Sequence, residues 1–286
     1  MKKRAHPESY QITYPLGLSM TPSKLRQWWA SQPEGPQEVV FFFDEATTAP
    51  YLYRLSNWFI STTFSFDVPE ICNADWLRLQ GMHTQVSITC GEQALMLCKA
   101  ALMKDLNTFQ RILDAKSPRA FKALGRQVAP FNEPLWLQRV CAISLAVVRG
   151  RVSQDAGLKH LVSSLAGSYV AEASPTDRLH GIGMPADDPN ALCPTLWQGA
   201  NVLGWAYMTV SQEMAGYKRR DSSNADGASE CYRCDGGWFK GEPCWFCQEG
   251  LLEDDEEEEG GGEMWSQQTM QQSNGIWTKV PRRMFF

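Results

Sequence analysis

Residues 89–104 read TCGEQALMLCKAALMK, and this stretch marks the point where the chain turns helical. Thr89 and Glu92 have the spacing of a capping box, in which two side chains close the first turn of a helix. An apolar face at helical spacing follows, made of Leu95, Met96, Leu102 and Met103. Glu92 and Lys99 are seven residues apart, so at about 100° per residue they share one side of the predicted helix. The stretch therefore predicts a helix that brings a carboxyl and an amine to one side.

The surrounding pattern predicts a mostly helical α+β domain with a small sheet. Apolar and β-branched runs predict strands at 38–43 and 168–173, and a second extended stretch at 51–59. Caps, prolines at helix starts and apolar periodicity predict the helices. These helices are 23–29, 107–115, 118–125 capped by Ser117, 135–149 after Pro134, a helix capped by Ser153 and ending at Gly167, and 200–214.

Length and composition narrow the class of protein. The chain has 286 residues, a net charge of -5 and 43% hydrophobic residues, which excludes a wholly disordered chain, a collagen and a miniprotein. No apolar run approaches the ~20 residues of a membrane helix, and the first residues lack the apolar core of a signal peptide. We therefore expect an intracellular protein, cytoplasmic or nuclear, that does not interact with membranes.

Five of the nine cysteines stand singly among apolar or helical neighbours: Cys72, Cys90, Cys98, Cys141 and Cys193. Such scattered thiols are typical of a reducing compartment. The C-terminal part is acidic, with an unbroken acidic run at 253–259 that should remain solvated. The sign of this charge excludes a basic tail that anchors nucleic acid, although short basic patches occur at 218–220 and 282–283.

These shifts in composition divide the chain into five segments. Five prolines make residues 1–37 a mostly extended lead-in, and residues 38–215 form the folded domain. Residues 216–230 form a linker and 231–250 a small cysteine module. The acidic and Gln-rich residues 251–286 are predicted to be a disordered tail.

The remaining four cysteines form two Cys-x-x-Cys pairs, Cys231 with Cys234 and Cys244 with Cys247. Two such pairs can hold one tetrahedral Zn²⁺, and four thiolates leave no open position for water, so we expect a structural zinc and not a catalytic one. Redox-active pairs or unliganded thiols are the alternatives. The aromatic residues of this module would serve its packing or a protein or nucleic-acid partner.

Six motifs occur in a specific order across the folded domain. They are Leu55-Ser-Asn57, Gly91-Glu92 with Lys99-Ala100, Leu124-Gly-Arg126, Trp136, Glu172-Ala-Ser-Pro-x-Asp177 with Gly181-Ile-Gly183, and Trp197-Gln-Gly-x-Asn201-x-Leu-Gly204. Together they resemble the NADAR, or YbiA-like, N-glycosidases over roughly residues 39–212. The resemblance implies a compact, mostly helical α+β fold and hydrolysis of an N-glycosidic bond without a metal or redox cofactor.

The implied substrate is ADP-ribosyl-guanine in a nucleotide or nucleic acid, or a ribosylamino pyrimidine phosphate of the riboflavin pathway. Cleavage of a C–N glycosidic bond needs an acid, a stabilised oxocarbenium-like centre and an activated water. We expect Glu92 to act as the acid and Asp177 to position water or the sugar. Lys99 would be a phosphate-binding cation or, if deprotonated, an amine that forms a Schiff base.

Nine further residues are expected to bind the substrate: Asn57, Trp136, Arg126, Arg151, Glu172, His180, Gly181, Gly183 and Asn201. Trp136 offers a flat ring for a base, and the planar fork of Arg126 fits a phosphate. The structural alternatives are a core position for Trp136, a turn-forming role for Asp177 and a capping role for Glu92. Glu172 belongs either to the site or to the strand end beneath it.

Three positions depart from the family pattern, and one of them is Gln93, which follows Glu92 where histidine is common. His180 stands where members usually have tryptophan, and Arg151 replaces the lysine of a Lys-Phe-x-Gln motif. If that lysine were essential, Lys99 would have to replace it. The alternative function is therefore a module that binds ADP-ribose or a nucleotide without hydrolysing it and presents a zinc-based interaction tail.

Overall fold

The structure is a computed structural model that describes residues 19–46 and 48–221, with side chains as far as residue 215, and four short strands further along. The chain divides into two compact units, Met1–Gly236 and Gly237–Phe286. In the second unit, β5 (Trp238–Phe239) pairs with β6 (Glu242–Pro243), and β7 (Met270–Ser273) pairs with β8 (Ile276–Lys279). Both pairs are antiparallel.

The described part of the first unit is mostly helical. Its helices are α1 (Pro22–Ala30), α2 (Pro50–Tyr53), α3 (Ala74–Leu79), α4 (Gly91–Leu102), α5 (Leu106–Asp114), α6 (Pro118–Gly125), α7 (Glu133–Gln154), α8 (Ala156–Ser164) and α9 (Val202–Asp221). Its strands are β1 (Val39–Phe42), β2 (Phe64–Asp67), β3 (Gln85–Ile88) and β4 (Tyr169–Glu172). The predicted class, α+β with a small sheet component, is confirmed.

The four strands described in the first unit form two separate pairs. β1 runs parallel to β4, with Val39 opposite Tyr169 and Phe42 opposite Glu172. β2 and β3 form an antiparallel pair in which Phe64 lies opposite Ile88. Because β1 and β4 are parallel, their carboxyl ends lie at the same edge, and the segments that follow both strands meet there.

Helix α4 is the centre of the core, since all its residues except Lys99 are buried. Helices α5, α6 and α7 pack against it, and α9 packs against α7 and β4. Helix α1 precedes the predicted domain start at residue 38, yet Leu25 and Trp29 are buried. The Trp29 indole N–H donates to the Ala200 carbonyl at 2.8 Å, which ties α1 to the segment before α9.

Most of the predicted elements are confirmed, and three details are wrong. The stretch 51–59 is not extended, because Pro50 begins the short helix α2 and turns follow it. Ser153 does not cap a helix; it lies in the last turn of α7, where its hydroxyl donates to the Gly150 carbonyl, and Asp155 caps α8 instead. The third detail, the cap of α4, bears on the site.

In the described part of the chain, no helix is long and apolar enough to cross a membrane.

Candidate active site

A cavity of about 910 Å³ lies where the segments after β1 and β4 meet α6. Its size is within the range of small-molecule sites. Four segments supply its wall: Phe43 and Asp44 after β1; Tyr53, Ser56 and Trp58 from α2 and the next turn; Arg119, Lys122 and Ala123 from α6, with its C-cap residue Arg126; and Glu172, Ser174, Thr176, Asp177, Arg178 and Leu179 from β4 and its loop. The cavity therefore combines carboxyl groups, cations and aromatic rings.

Glu172 is held in the cavity wall by backbone bonds on both sides. Its N–H donates to Asn201 Oδ1 at 3.1 Å, and its carbonyl accepts from the Ile182 N–H at 2.9 Å. The carboxyl oxygen Oε2 is sealed from solvent and has no hydrogen-bond partner among the described residues. Burial, together with the nearby Asp177 and Glu92, raises the pKa of Glu172 to about 8. At neutral pH this carboxyl therefore holds a proton.

Asp177 occupies the loop after β4, and its environment favours the ionised form. Its Oδ1 accepts from the N–H groups of Leu179 at 2.9 Å and His180 at 2.8 Å, and Oδ2 lies 3.7 Å from Lys122 Nζ. Burial alone would raise the pKa of Asp177, but the His180 ring, the two N–H groups and Lys122 outweigh it and hold the pKa below its ordinary value. The turn-forming role and the place in the cavity wall therefore coexist in this residue.

Two neighbouring carboxyl groups in one cavity are thus driven toward opposite protonation states. Glu172 is a proton donor at neutral pH, while Asp177 is an anion. Such divergence between paired carboxyl groups is the pattern of acid–base sites in which one group donates a proton and the other stabilises positive charge.

Helix α6 presents a cationic face to the cavity. Arg119, Lys122 and Arg126 are spaced by three and four residues, so they project within about 60° of one another. The position of α6 is fixed by close packing, because a Cβ on Gly125 would lie 1.9 Å from Met96 Sδ of α4. A rigid row of cations suits phosphate oxygens, for which arginine also offers a planar fork.

The predicted capping box at Thr89 and Glu92 is wrong. This matters for the site because Glu92 is the acid predicted from the sequence. Cys90 is the N-cap of α4, and Gln93 closes the turn, because its Oε1 accepts from the Thr89 N–H at 3.0 Å. Glu92 is thereby released from the capping role. It is 3% exposed, and its Oε1 has no hydrogen-bond partner in the described part of the chain.

Glu92 is coupled to the cavity although it is not part of its lining. Burial raises the pKa of Glu92, against the opposing effects of Lys122, Arg126 and a hydrogen bond from the Trp58 side chain. The nearby Asp177 raises this pKa further. Glu92 therefore belongs to the same charged cluster as Asp177 and Glu172, with Trp58 as its link to the wall.

Lys99 and Trp136 lie together outside the cavity wall. Lys99 Nζ donates to the Gly125 carbonyl at 2.8 Å and lies 4.4 Å from the Phe131 ring centre and 5.6 Å from that of Trp136. Burial lowers the pKa of Lys99, while the nearby Glu92 opposes this effect. Trp136 is 6% exposed, which agrees with the core position that the sequence left open for it. The cavity's own lysine is Lys122.

Asn57 and Arg151 pack against the first residues of α4. The Asn57 carbonyl accepts from the Glu92 N–H at 2.8 Å. The buried Arg151 guanidinium donates to the Tyr207 hydroxyl and to the Arg54 carbonyl, both at 2.8 Å. A Cβ on Gly91 would lie 2.3 Å from Asn57 Oδ1. Both side chains are buried, and neither lines the cavity.

Four further predicted contacts shape the loop after β4 instead of lining the cavity. His180 is buried with Nε2 3.4 Å from Ser144 Oγ, and burial lowers its pKa against the effect of Asp177. Asn201 is fully buried and donates to the Val170 carbonyl at 2.9 Å. Gly181 leaves no room for a Cβ, which would lie 2.8 Å from the Glu172 carbonyl, and Gly183 has a φ of +75°. All four hold the loop on β4 and thereby place Asp177.

Sequence reasoning missed Arg119, Lys122 and Trp58. The spacing of Arg119, Lys122 and Arg126 within a predicted helix was a usable signal, whereas Trp58 was visible only as the residue after Leu55-Ser-Asn57. Among the predicted site residues, Arg126, Glu172 and Asp177 line the cavity. The four clustered cysteines lie outside the described residues. Within the described side chains, no three His, Cys, Asp or Glu residues are grouped to hold a metal ion.

The chain belongs to the NADAR domain family, whose model matches residues 41–215. It is similar to protein irg-1 of Caenorhabditis elegans, with 30% identity over 131 residues, which are 45% of this chain and 62% of irg-1. It is also similar to N-glycosidase R617 of Acanthamoeba polyphaga mimivirus, with 31% identity over 122 residues, which are 43% of this chain and 72% of that protein. The match therefore spans less than two thirds of irg-1.

The NMR structure of the Escherichia coli protein YbiA aligns with 66% of this chain and 92% of its own, with a TM-score of 0.46 and 17% sequence identity.

Proposed function

We propose that the chain is an N-glycosidase that hydrolyses the bond between a ribose and a base, with ADP-ribosyl-guanine as its substrate. The observation that carries this proposal is the meeting of Glu172, Asp177 and the cationic face of α6 in one cavity. Membership of the NADAR family and the similarity to an N-glycosidase support the reaction class.

The two carboxyl groups divide the work of hydrolysis. Protonated Glu172 donates its proton to the leaving nitrogen as the C–N bond breaks, and the Asp177 carboxylate stabilises the positive sugar carbon. A water molecule oriented by Asp177 then adds to this carbon, and the proton that it loses restores the acid form of Glu172. Glu92, which the sequence predicts as the acid, lies near Glu172 and raises its pKa.

The cations of α6 favour a substrate with more than one phosphate. Arg119, Lys122 and Arg126 span two turns of the helix, and Arg178 adds a fourth cation to the wall. Such a row can neutralise the diphosphate of ADP-ribose, whereas a pyrimidine ribosylamine phosphate would engage only part of it. For this reason we favour ADP-ribosyl-guanine and place the riboflavin-pathway intermediates second.

The alternative of a module that only binds its ligand loses its main motivation. That alternative rested on the departures at His180 and Arg151, which are buried away from the cavity wall. The wall itself keeps two carboxyl groups in opposite protonation states, which binding alone does not require.

A substrate panel tests the proposal. Purified protein is incubated with ADP-ribosylated guanosine and, separately, with ribosylamino pyrimidine phosphates, and the released sugar is quantified by chromatography. We expect ADP-ribose release that Asp177→Asn reduces by about 100-fold or more. The control is Asp187→Asn, which changes an exposed aspartate outside the cavity. No release from any member of the panel would refute the proposal.

We also propose that Cys231, Cys234, Cys244 and Cys247 hold a structural zinc that shapes a surface for a protein partner. Metal analysis of the full chain is expected to give about one zinc per chain. Replacement of Cys231 by serine should lower this content without reducing glycosidase activity. A zinc content far below one equivalent in the parent would contradict the proposal.

A further inference from the structure

Trp58 is a large aromatic side chain that the fold leaves partly exposed. Its exposed fraction is 38%, although the residues before it, Ser56 and Asn57, are 4% and 7% exposed. An indole left partly exposed in a cavity wall forgoes part of the stabilisation that burial of a large aromatic surface provides. A ring kept in this position on a well-anchored turn is available to a ligand.

The backbone around Trp58 is fixed. The Trp58 N–H donates to Ser56 Oγ at 3.2 Å, and the carbonyl of the preceding Asn57 accepts from the Glu92 N–H at 2.8 Å. The turn is therefore attached to the first turn of α4, the most buried helix of the described domain. A ring on such a support loses little conformational entropy when a ligand packs against it.

The position of the ring within the cavity indicates which part of a substrate it would meet. Trp58 lines the same cavity as Glu172 and Asp177, and its turn is attached to the Glu92 N–H through the Asn57 carbonyl. The ring therefore shares the cavity with the carboxyl groups that act on the glycosidic bond. The group next to that bond is the leaving base.

We infer that Trp58 is the stacking platform for the planar base attached to the reacting sugar, and that it makes a flat aromatic leaving group a requirement of the site. This inference rests on the proposed function and deepens it by assigning the base subsite. Trp136, the tryptophan that the sequence suggested for this role, is buried and lies beneath the Lys99 ammonium. Base–aromatic stacking tolerates different bases, so this subsite selects flatness more than identity.

Two matched ligands isolate the contribution of the base. GMP and ribose 5-phosphate share a phosphate and a sugar, and only GMP carries a base. Their dissociation constants are measured by calorimetry for the parent, Trp58→Phe and Trp58→Leu. The control is Trp76→Leu, because Trp76 of α3 is half-buried and lies outside the cavity wall.

We expect the parent to bind GMP about 5- to 100-fold more tightly than ribose 5-phosphate, the range of one base stacked on an aromatic ring. Trp58→Leu should abolish this preference and leave the affinity for ribose 5-phosphate unchanged. Trp58→Phe should keep most of it, and the control should keep all of it. Equal affinity of the parent for both ligands, or equal weakening of both by Trp58→Leu, would overturn the inference.

This comparison is independent of turnover. If the protein releases no ADP-ribose from any substrate, the proposed function fails, and the binding measurements still decide whether Trp58 supports a base. If turnover occurs, Trp58→Leu should raise KM for the ribosylated base more than it lowers kcat, because the ring binds the base in both the ground state and the transition state. An unchanged KM would also overturn the inference.

Discussion

Replacement of Glu172 by glutamine should change how stability depends on pH. The pKa of Glu172 is about 8 in the folded protein and about 4.5 in an unfolded chain. A carboxyl whose pKa is raised by folding contributes stability that is fully present below 4.5 and is lost as the pH rises through about 8. Over that range the full difference corresponds to about 5 kcal/mol, which is an upper limit.

The expected loss between pH 5 and pH 9 is somewhat smaller than this limit, because the unfolded carboxyl has already begun to ionise at pH 5. We therefore expect the parent to lose about 4 kcal/mol more unfolding free energy than Glu172→Gln over this range. Glutamine has a similar shape and does not titrate, so all other groups contribute nearly equally to both proteins.

Urea unfolding at several pH values measures this difference directly. The control is Glu133→Gln, which neutralises an exposed carboxyl in the first turn of α7. Its stability curve should run nearly parallel to that of the parent. If the Glu172→Gln curve also runs parallel to the parent between pH 5 and pH 9, the carboxyl is not protonated in the fold, and its assignment as the acid is wrong.

Three other substitutions test separate parts of the account. Lys122→Met should raise KM for a phosphorylated substrate by about 10-fold. The control, Lys116→Met, changes an exposed lysine outside the cavity and should leave KM unchanged. Similar KM values for the two variants would contradict the role of α6. Gly199→Ala should cost about 3 kcal/mol in urea unfolding, because its Cβ would lie 2.0 Å from the Gly181 carbonyl; a loss below about 0.5 kcal/mol would show that the loop can shift. Gln93→Ala should cost about 1 kcal/mol by removing the bond that closes α4, and unchanged stability would show that this bond does not stabilise the helix.

Local signals in the sequence were sufficient for most elements. Helix α6 was predictable from Ser117, Pro118 and Gly125, because a cap, a proline at the first turn and a terminal glycine act within a few residues. The cap of α4 was misplaced by one residue, since glutamate and glutamine follow one another at 92 and 93 and either can close a capping box. Only the structure shows that Gln93, and not Glu92, accepts the hydrogen bond from the Thr89 N–H.

The cavity was less predictable because four distant segments form it. The spacing of Glu92 and Lys99 predicted that they share one side of the helix, and in the structure Glu92 raises the pKa of Lys99. It could not show that the Gly125 carbonyl, 26 residues further along the chain, takes the Lys99 ammonium. Glu172 presented the same difficulty, because its raised pKa results from burial by tertiary packing, which is not a property of local sequence.

The rate of ADP-ribose release from ADP-ribosylated guanosine, followed from pH 5 to pH 9, tests the central claim most directly. If Glu172 donates the proton, the rate for the parent should fall as the pH rises through about 8. The rate for Glu172→Gln should be about 100-fold lower and should not show this fall. A Glu172→Gln variant that releases ADP-ribose at the rate of the parent, with the same dependence on pH, would contradict the claim.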